Sequence, residues 1–172
     1  ATTDAYYFDG SYKSDGVLRN GTGYWLRFDS AEVIVISGAP LAVDTFDVIE
    51  GWNMIGSISD DVPVGNIESI PAGIVTSQFY GYSSGYVTAS LIKPGRGYWV
   101  KATEAGQLVL SSATSPPPAN RIRIVPTDEA PPPPPGTGPD GEAPDAAASV
   151  PLDYRLERNY PNPFNPSTVI AF

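Results

Sequence analysis

Any chemistry in this chain of 172 residues has to be built from carboxylates, amides, hydroxyls and aromatic rings, because it contains no His and no Cys. That removes Ser-His-Asp and Cys-His nucleophiles, imidazole acid–base work, and ordinary zinc or copper sites. The 19 Asp and Glu could form a glycosidase-type carboxylate pair, but no spacing selects one. The expectation is a protein that is not an enzyme and carries no cofactor. The run DGSYKSDG at 9–16 offers Asp9, Ser11 and Asp15 as oxygen donors, but Lys13 interrupts it and the run does not fit an EF-hand loop. Solvated turn acids explain it better. Asn20-Gly21-Thr22 matches a glycosylation sequon, a pattern short enough to occur by chance. Nothing in the sequence selects an isopeptide partner for Lys13, Lys93 or Lys101.

The aromatic residues are the remaining candidates. Tyr24, Trp25, Trp52, Tyr98 and Trp99 could stack on sugar rings, which makes a glycan a possible partner. Adjacent residues of a strand face opposite sides, however, so one member of each Tyr–Trp pair is expected in the core. The pairs recur at equivalent places, and large aromatics dominate small cores, so packing is the favoured role. Trp52 and one residue of each pair are therefore expected to be buried.

The elements that would position these rings are strands. With 19 Pro and 17 Gly against 10 Tyr, 3 Trp and 6 Phe, the chain is broken into short aromatic and β-branched pieces, and the fold class is all-β. GTGYWLRF at 21–28 matches GRGYWVKA at 95–102, an offset of 74 residues. At the same offset Tyr6 meets Tyr80, Phe8 meets Tyr82, Tyr12 meets Tyr86, and IVIS at 34–37 meets LVLS at 108–111. This is one supersecondary unit repeated. Its G-x-G glycines are expected in a tight turn. EGWNMIGSIS at 50–59 reads as a strand leading the second unit, and its counterpart in the first would precede residue 1. Residues 40–49 read as an additional strand, 60–73 as a loop with room for a short helical turn, and 121–125 as a further strand.

The organisation is thus a first β-module at 1–49 lacking its leading strand, a second at 50–125, and a Pro/Gly/Ala-rich linker at 126–151. A terminal segment follows at 152–172. Polyproline II geometry is expected at Pro131–Pro135. The formal charge of −9 argues against nucleic acid and anionic lipid. No apolar run is long enough to span a membrane. The N-terminal residues are polar and aromatic rather than signal-like, so an exported form would be processed or partial.

The terminal LERNYPNPFNPSTVIAF, residues 156–172, resembles the opening of the C-terminal sorting domain of type IX secretion substrates. Asn159, Tyr160, Pro161, Asn162, Pro163, Phe164, Asn165 and Pro166 carry the resemblance. In that family such a stretch leads into the first strand of a small β-sandwich. EGWNMIGSIS with LIKPGRGYWVKA is similar to β-rich modules found upstream of such domains. The resemblance implies export to the surface of a Gram-negative bacterium of the Bacteroidetes–Chlorobi–Ignavibacteria kind. Together these features read as an exported structural protein, its copies assembled into a filament or surface layer by β-strand addition. Thr168, Val169, Ile170, Ala171 and Phe172 form the assembly strand, and other copies of the chain are the partners. The alternative is an adhesion or carbohydrate-binding module of a larger secreted protein.

Overall fold

Period-two alternation and frequent Gly-containing turns produce short antiparallel strands and no α-helix among the described residues, which in this computed structural model are 4–31, 33, 38–113 and 129–136. The strands are β1 Ala5–Phe8, β2 Tyr12–Asp15, β3 Val43–Val48, β4 Gly51–Ile55, β5 Val62–Pro63, β6 Glu68–Ile70, β7 Phe79–Tyr82, β8 Tyr86–Ala89, β9 Leu91–Ile92, β10 Tyr98–Ala102 and β11 Gly106–Ser111. No helix among these residues is long and apolar enough to cross a membrane. Most of the first unit's apolar strand at 32–37, the candidate strand at 121–125 and all of 152–172 lie outside the described residues.

Two sheets make a sandwich-like core. One has the order β4-β10-β7-β8 and the other β3-β11-β6, while β1-β2 and β5-β9 are separate pairs. Tyr98 and Val100 of β10, Ile55 of β4 and Phe79 of β7 pack against Phe46 and Val48 of β3 and Leu108 and Leu110 of β11. Val62 and Ile92 of the β5-β9 pair join the same cluster. β3, placed by the sequence with the first module, pairs along its whole length with β11 of the second, from Val43↔Ser111 to Val48↔Gly106.

The segment at 60–73, expected as a loop, contains the 3-10 turn Val64–Asn66 flanked by the short strands β5 and β6. Its apolar residues Val62, Val64 and Ile67 are buried, which is why the backbone there is ordered by pairing rather than solvated. Buried polar groups are satisfied locally. Asn53 closes the β3–β4 turn: its Nδ2 donates to the Ile49 and Gly51 carbonyls, and its Oδ1 accepts from the Ile49 N–H. Gly51, at φ 93°, supplies the left-handed residue which that turn requires. Ser77 Oγ donates to the Gln78 carbonyl and accepts from the Lys101 N–H at 2.8 Å, tying β10 to the approach of β7.

The two hairpins correspond pair for pair. β1–β2 matches Ala5↔Asp15, Tyr6↔Ser14, Tyr7↔Lys13 and Phe8↔Tyr12. Adding 74 to each gives Phe79↔Ala89, Tyr80↔Thr88, Gly81↔Val87 and Tyr82↔Tyr86, the register of β7–β8. The bridge Tyr6↔Trp25 falls on Tyr80↔Trp99, and the Arg19 N–H to Tyr24 hydroxyl bond falls on Lys93 N–H to Tyr98 hydroxyl. They differ beyond the hairpin: Trp99 lies in a continuous strand paired with β4, whereas Trp25 makes an isolated bridge.

Candidate functional site: an aromatic seam holding a proline-rich segment

The pleat divides β10 into two faces. Tyr98, Val100 and Ala102 face the sandwich core, and Trp99 and Lys101 face the other way, opposite Met54 and Trp52 of β4. Tyr80 of β7 is paired with Trp99 on that same outer face, and Tyr82 follows two residues on. The first module covers this face. Gly23 makes the approach possible: its N–H donates to the Met54 carbonyl at 2.9 Å, and a Cβ there would lie 2.7 Å from the Ile55 carbonyl oxygen. The G-x-G motif is therefore split in role: Gly21 supplies a positive φ of 81°, while Gly23 serves close approach rather than the expected turn.

The seam is nearly two-fold in its ring contacts. Phe8 meets Trp99 edge-on at 4.9 Å, and at the 74-residue offset with the modules exchanged, Tyr82 meets Trp25 at 4.8 Å. Phe8–Tyr12 at 5.3 Å matches Tyr82–Tyr86 at 5.4 Å. Each such T-shaped pair contributes about 0.5–1.5 kcal/mol beyond burial. The indole N–H groups of Trp25 and Trp99 are buried without a hydrogen bond of normal geometry. They approach the hydroxyls of Tyr12 and Tyr86 respectively, where they slightly favour the phenolates.

Across this seam lies the segment 129–136. The Tyr12 hydroxyl donates to the Pro133 carbonyl at 2.7 Å, and the Tyr86 hydroxyl donates to the adjacent Pro132 carbonyl. Pro131 is buried and Pro132 half-buried. The Glu129 carboxylate accepts from Trp52 Nε1 at 3.1 Å and from the Lys101 ammonium. All four of these donors, Tyr12, Tyr86, Trp52 and Lys101, stand on the body. That suits a proline run, whose residues offer carbonyl acceptors and no N–H.

Desolvation, then the neighbouring Tyr82, pushes the Tyr86 phenol up to about 12. Desolvation, then Tyr86, raises Tyr12 as well. Both hydroxyls thus remain protonated donors at any physiological pH. Glu129 is held below the usual carboxylate range by its bonds from Lys101 first and Trp52 second.

The sequence candidates are placed differently from expectation in three respects. Trp52 is half-buried, not buried, because its indole edge remains open to receive Glu129. Tyr98 and Trp99 are both buried, at 4% and 2% exposure, because β10 is covered on both faces. Tyr24 and Trp25 are both only half-buried. The 9–16 acids are matched by cations, Lys13 with Asp9 at 2.6 Å and Arg19 with Asp15 at 3.4 Å. Among the described residues no group of three or more acidic side chains could hold a metal. Asn20 of the sequon donates to Asp44. The residues that sequence reasoning missed as a site are Tyr12, Tyr86, Lys101 and Glu129. Their signal was the Tyr12/Tyr86 match at the repeat offset and an acid just before five prolines.

Beside the seam, Tyr24, Trp25, Tyr82, Lys93, Arg96 and Trp99 line a cleft of about 390 Å³. Lys93 and Arg96 make no ion pair among the described residues. The sorting-like residues Asn159–Pro166 and the assembly strand Thr168–Phe172 lie outside the described residues. Comparison with protein-family models, with curated proteins and with solved structures finds no match to this chain.

Proposed function

We propose that this chain is an exported structural protein whose copies join into an extracellular filament or surface layer by β-strand addition. The observation that carries the reading is an asymmetry between the modules. β4 pairs with β10 over five residues beside Trp99, whereas along the Trp25 segment it makes only the Thr22↔Ile55 bridge and backbone bonds at Gly21 and Gly23, leaving Trp25 itself without a β4 partner. A ladder left incomplete next to a built hairpin is a template for a strand from elsewhere. The stretch Thr168–Phe172 has the composition for it: paired as a strand, it would place Thr168, Ile170 and Phe172 on one face and Val169 and Ala171 on the other. β3 and β8 are further sheet edges, carrying Val43 at 53% and Val87 at 51% exposure. The Asn159–Pro166 resemblance supports export to a Gram-negative cell surface.

Negative-stain images and sedimentation of the purified chain test this. Fibres or large oligomers are expected, and deletion of residues 167–172 is expected to abolish them. Monodisperse particles from the intact chain overturn the reading.

A second reading, an adhesion or carbohydrate-binding module, is favoured by the cleft. Half-buried Tyr24 and Trp25 offer ring surface there, and Lys93 and Arg96 bring positive charge to an otherwise acidic protein. That combination fits an acidic sugar. Calorimetric titration with a uronic-acid oligosaccharide is expected to show binding that Lys93→Ala with Arg96→Ala abolishes. No heat with either protein overturns this reading.

A further inference from the structure

We propose that the aromatic seam is a receptor for acidic polyproline segments, and that it takes residues 129–135 of a second copy in exchange for its own. The inference rests on the assembly reading for its context but on different residues for its chemistry. A proline ridge is stiff and presents only carbonyl oxygens for hydrogen bonding, so little entropy is lost when it docks. The seam presents the complement. Tyr12 from the first module and Tyr86 from the second donate to the successive carbonyls of Pro133 and Pro132. Their hydroxyls stand on rings already fixed by Phe8, Tyr82 and Trp99.

Direction is set by the acid. The ring contacts of the seam are nearly two-fold, so a run of prolines alone would find similar donors in either orientation. Glu129 breaks the tie by joining Trp52 Nε1 and Lys101 Nζ. Arg27 stands at the position equivalent to Lys101 but is itself engaged. The preferred ligand is therefore acid–Ala–Pro–Pro–Pro, read from N to C.

Exchange follows from how the segment is held. Residues 129–136 belong to no strand of either sheet. The bonds from Tyr12, Tyr86, Trp52 and Lys101 come from side chains, and any copy's segment can make these bonds. The 15 residues 114–128 can span about 50 Å when extended. A body the size of residues 4–113 has a radius of gyration of about 13 Å, so the tether reaches the seam of a touching neighbour. At high local concentration the neighbour's segment then competes with the chain's own.

Two full-chain variants, both also lacking residues 167–172 so that strand addition cannot contribute, test this. One carries Pro131→Ser, Pro132→Ser and Pro133→Ser, leaving the seam intact and open. The other carries Tyr12→Phe, Tyr86→Phe and Lys101→Ala, leaving the segment intact. Each alone is expected to be a monomer in sedimentation velocity, and the mixture a one-to-one complex. A fluorescent peptide of residues 127–136 is expected to bind the first variant. Adding Tyr12→Phe or Tyr86→Phe there should weaken it roughly three- to tenfold per hydroxyl, and the reversed peptide should bind worse. Peptide binding without a mixed complex overturns exchange. No peptide binding, with the variant's circular dichroism unchanged from the parent, overturns the receptor. Because strand addition is removed throughout, neither failure bears on assembly through 167–172.

Discussion

Trp99→Ala should be among the most damaging substitutions in this chain, and its cost can be worked from the neighbours. Trp99 is 2% exposed, with Phe8 at 4.9 Å, Tyr12 at 6.4 Å and Trp52 at 6.4 Å around its ring. Truncating a buried Trp typically costs about 3–5 kcal/mol. The buried indole N–H, which makes no hydrogen bond of normal geometry, is removed at the same time, which returns about 1 kcal/mol. A net loss near 3 kcal/mol follows. For a body of about 110 residues each kcal/mol shifts the midpoint by roughly 4–8 °C, so thermal unfolding followed by far-ultraviolet circular dichroism should move down by about 12–24 °C. Trp25→Ala, at the equivalent but half-buried position, should cost about half as much. Equal losses at the two sites, or a Trp99→Ala midpoint within a few degrees of the parent, would refute the reasoning that the outer face of β10 is a second core.

Gly23→Ala should destabilise by about 1–3 kcal/mol in chemical denaturation, since its Cβ would lie 2.7 Å from both the Ile55 carbonyl oxygen and Met54 Cγ; Gly16→Ala, whose Cβ would meet nothing within 4 Å, is the control and should be near neutral. Ser77→Ala, at a fully buried side chain, leaves the Lys101 N–H without its acceptor and should cost about 1–3 kcal/mol by the same measurement. The Glu129 carboxyl is held below its ordinary value, so its contribution is present above the unfolded-state value of about 4.3 and disappears as pH falls through the depressed folded value. Trp52 emission should therefore hold steady down to about pH 4 and change below it, and Glu129→Gln should remove that acid transition; a midpoint above pH 5 in the parent contradicts it. Alkaline titration of phenolate absorbance should show Tyr86 ionising near pH 12, above the ordinary tyrosine value of about 10, and Tyr86→Phe should remove that step while leaving the raised ionisation of Tyr12.

The β class, the hairpins and their equivalence at 74 residues were legible because each depends on local rules. Alternation places Tyr6 and Phe8 on one face of a strand whatever lies beyond it, and Gly-rich turns return the chain within a few residues. What covers each face is not local. β10 alternates no polar residue into solvent along Tyr98-Trp99-Val100, and the sequence alone does not say that one side meets Leu108 and Leu110 while the other meets Phe8. The pairing of β3 with β11 joins residues some 60 positions apart, and period two has no reach over that distance.

The proline run shows the same division. Composition establishes that Pro131–Pro135 cannot donate to a sheet ladder, because the residues lack an N–H. Composition does not establish where their carbonyls find donors. Tyr12 and Pro133 are 121 positions apart, and Trp52 and Glu129 are 77 apart. Pairing within the β4-β10-β7-β8 sheet gathers Trp52, Lys101 and Tyr86, and closing of the β1–β2 hairpin over its outer face adds Tyr12. The sequence by itself determined which groups must seek partners; the tertiary structure decided which partners they meet, because donors fixed on separate strands converge only when those strands pair and the β1–β2 hairpin closes over them.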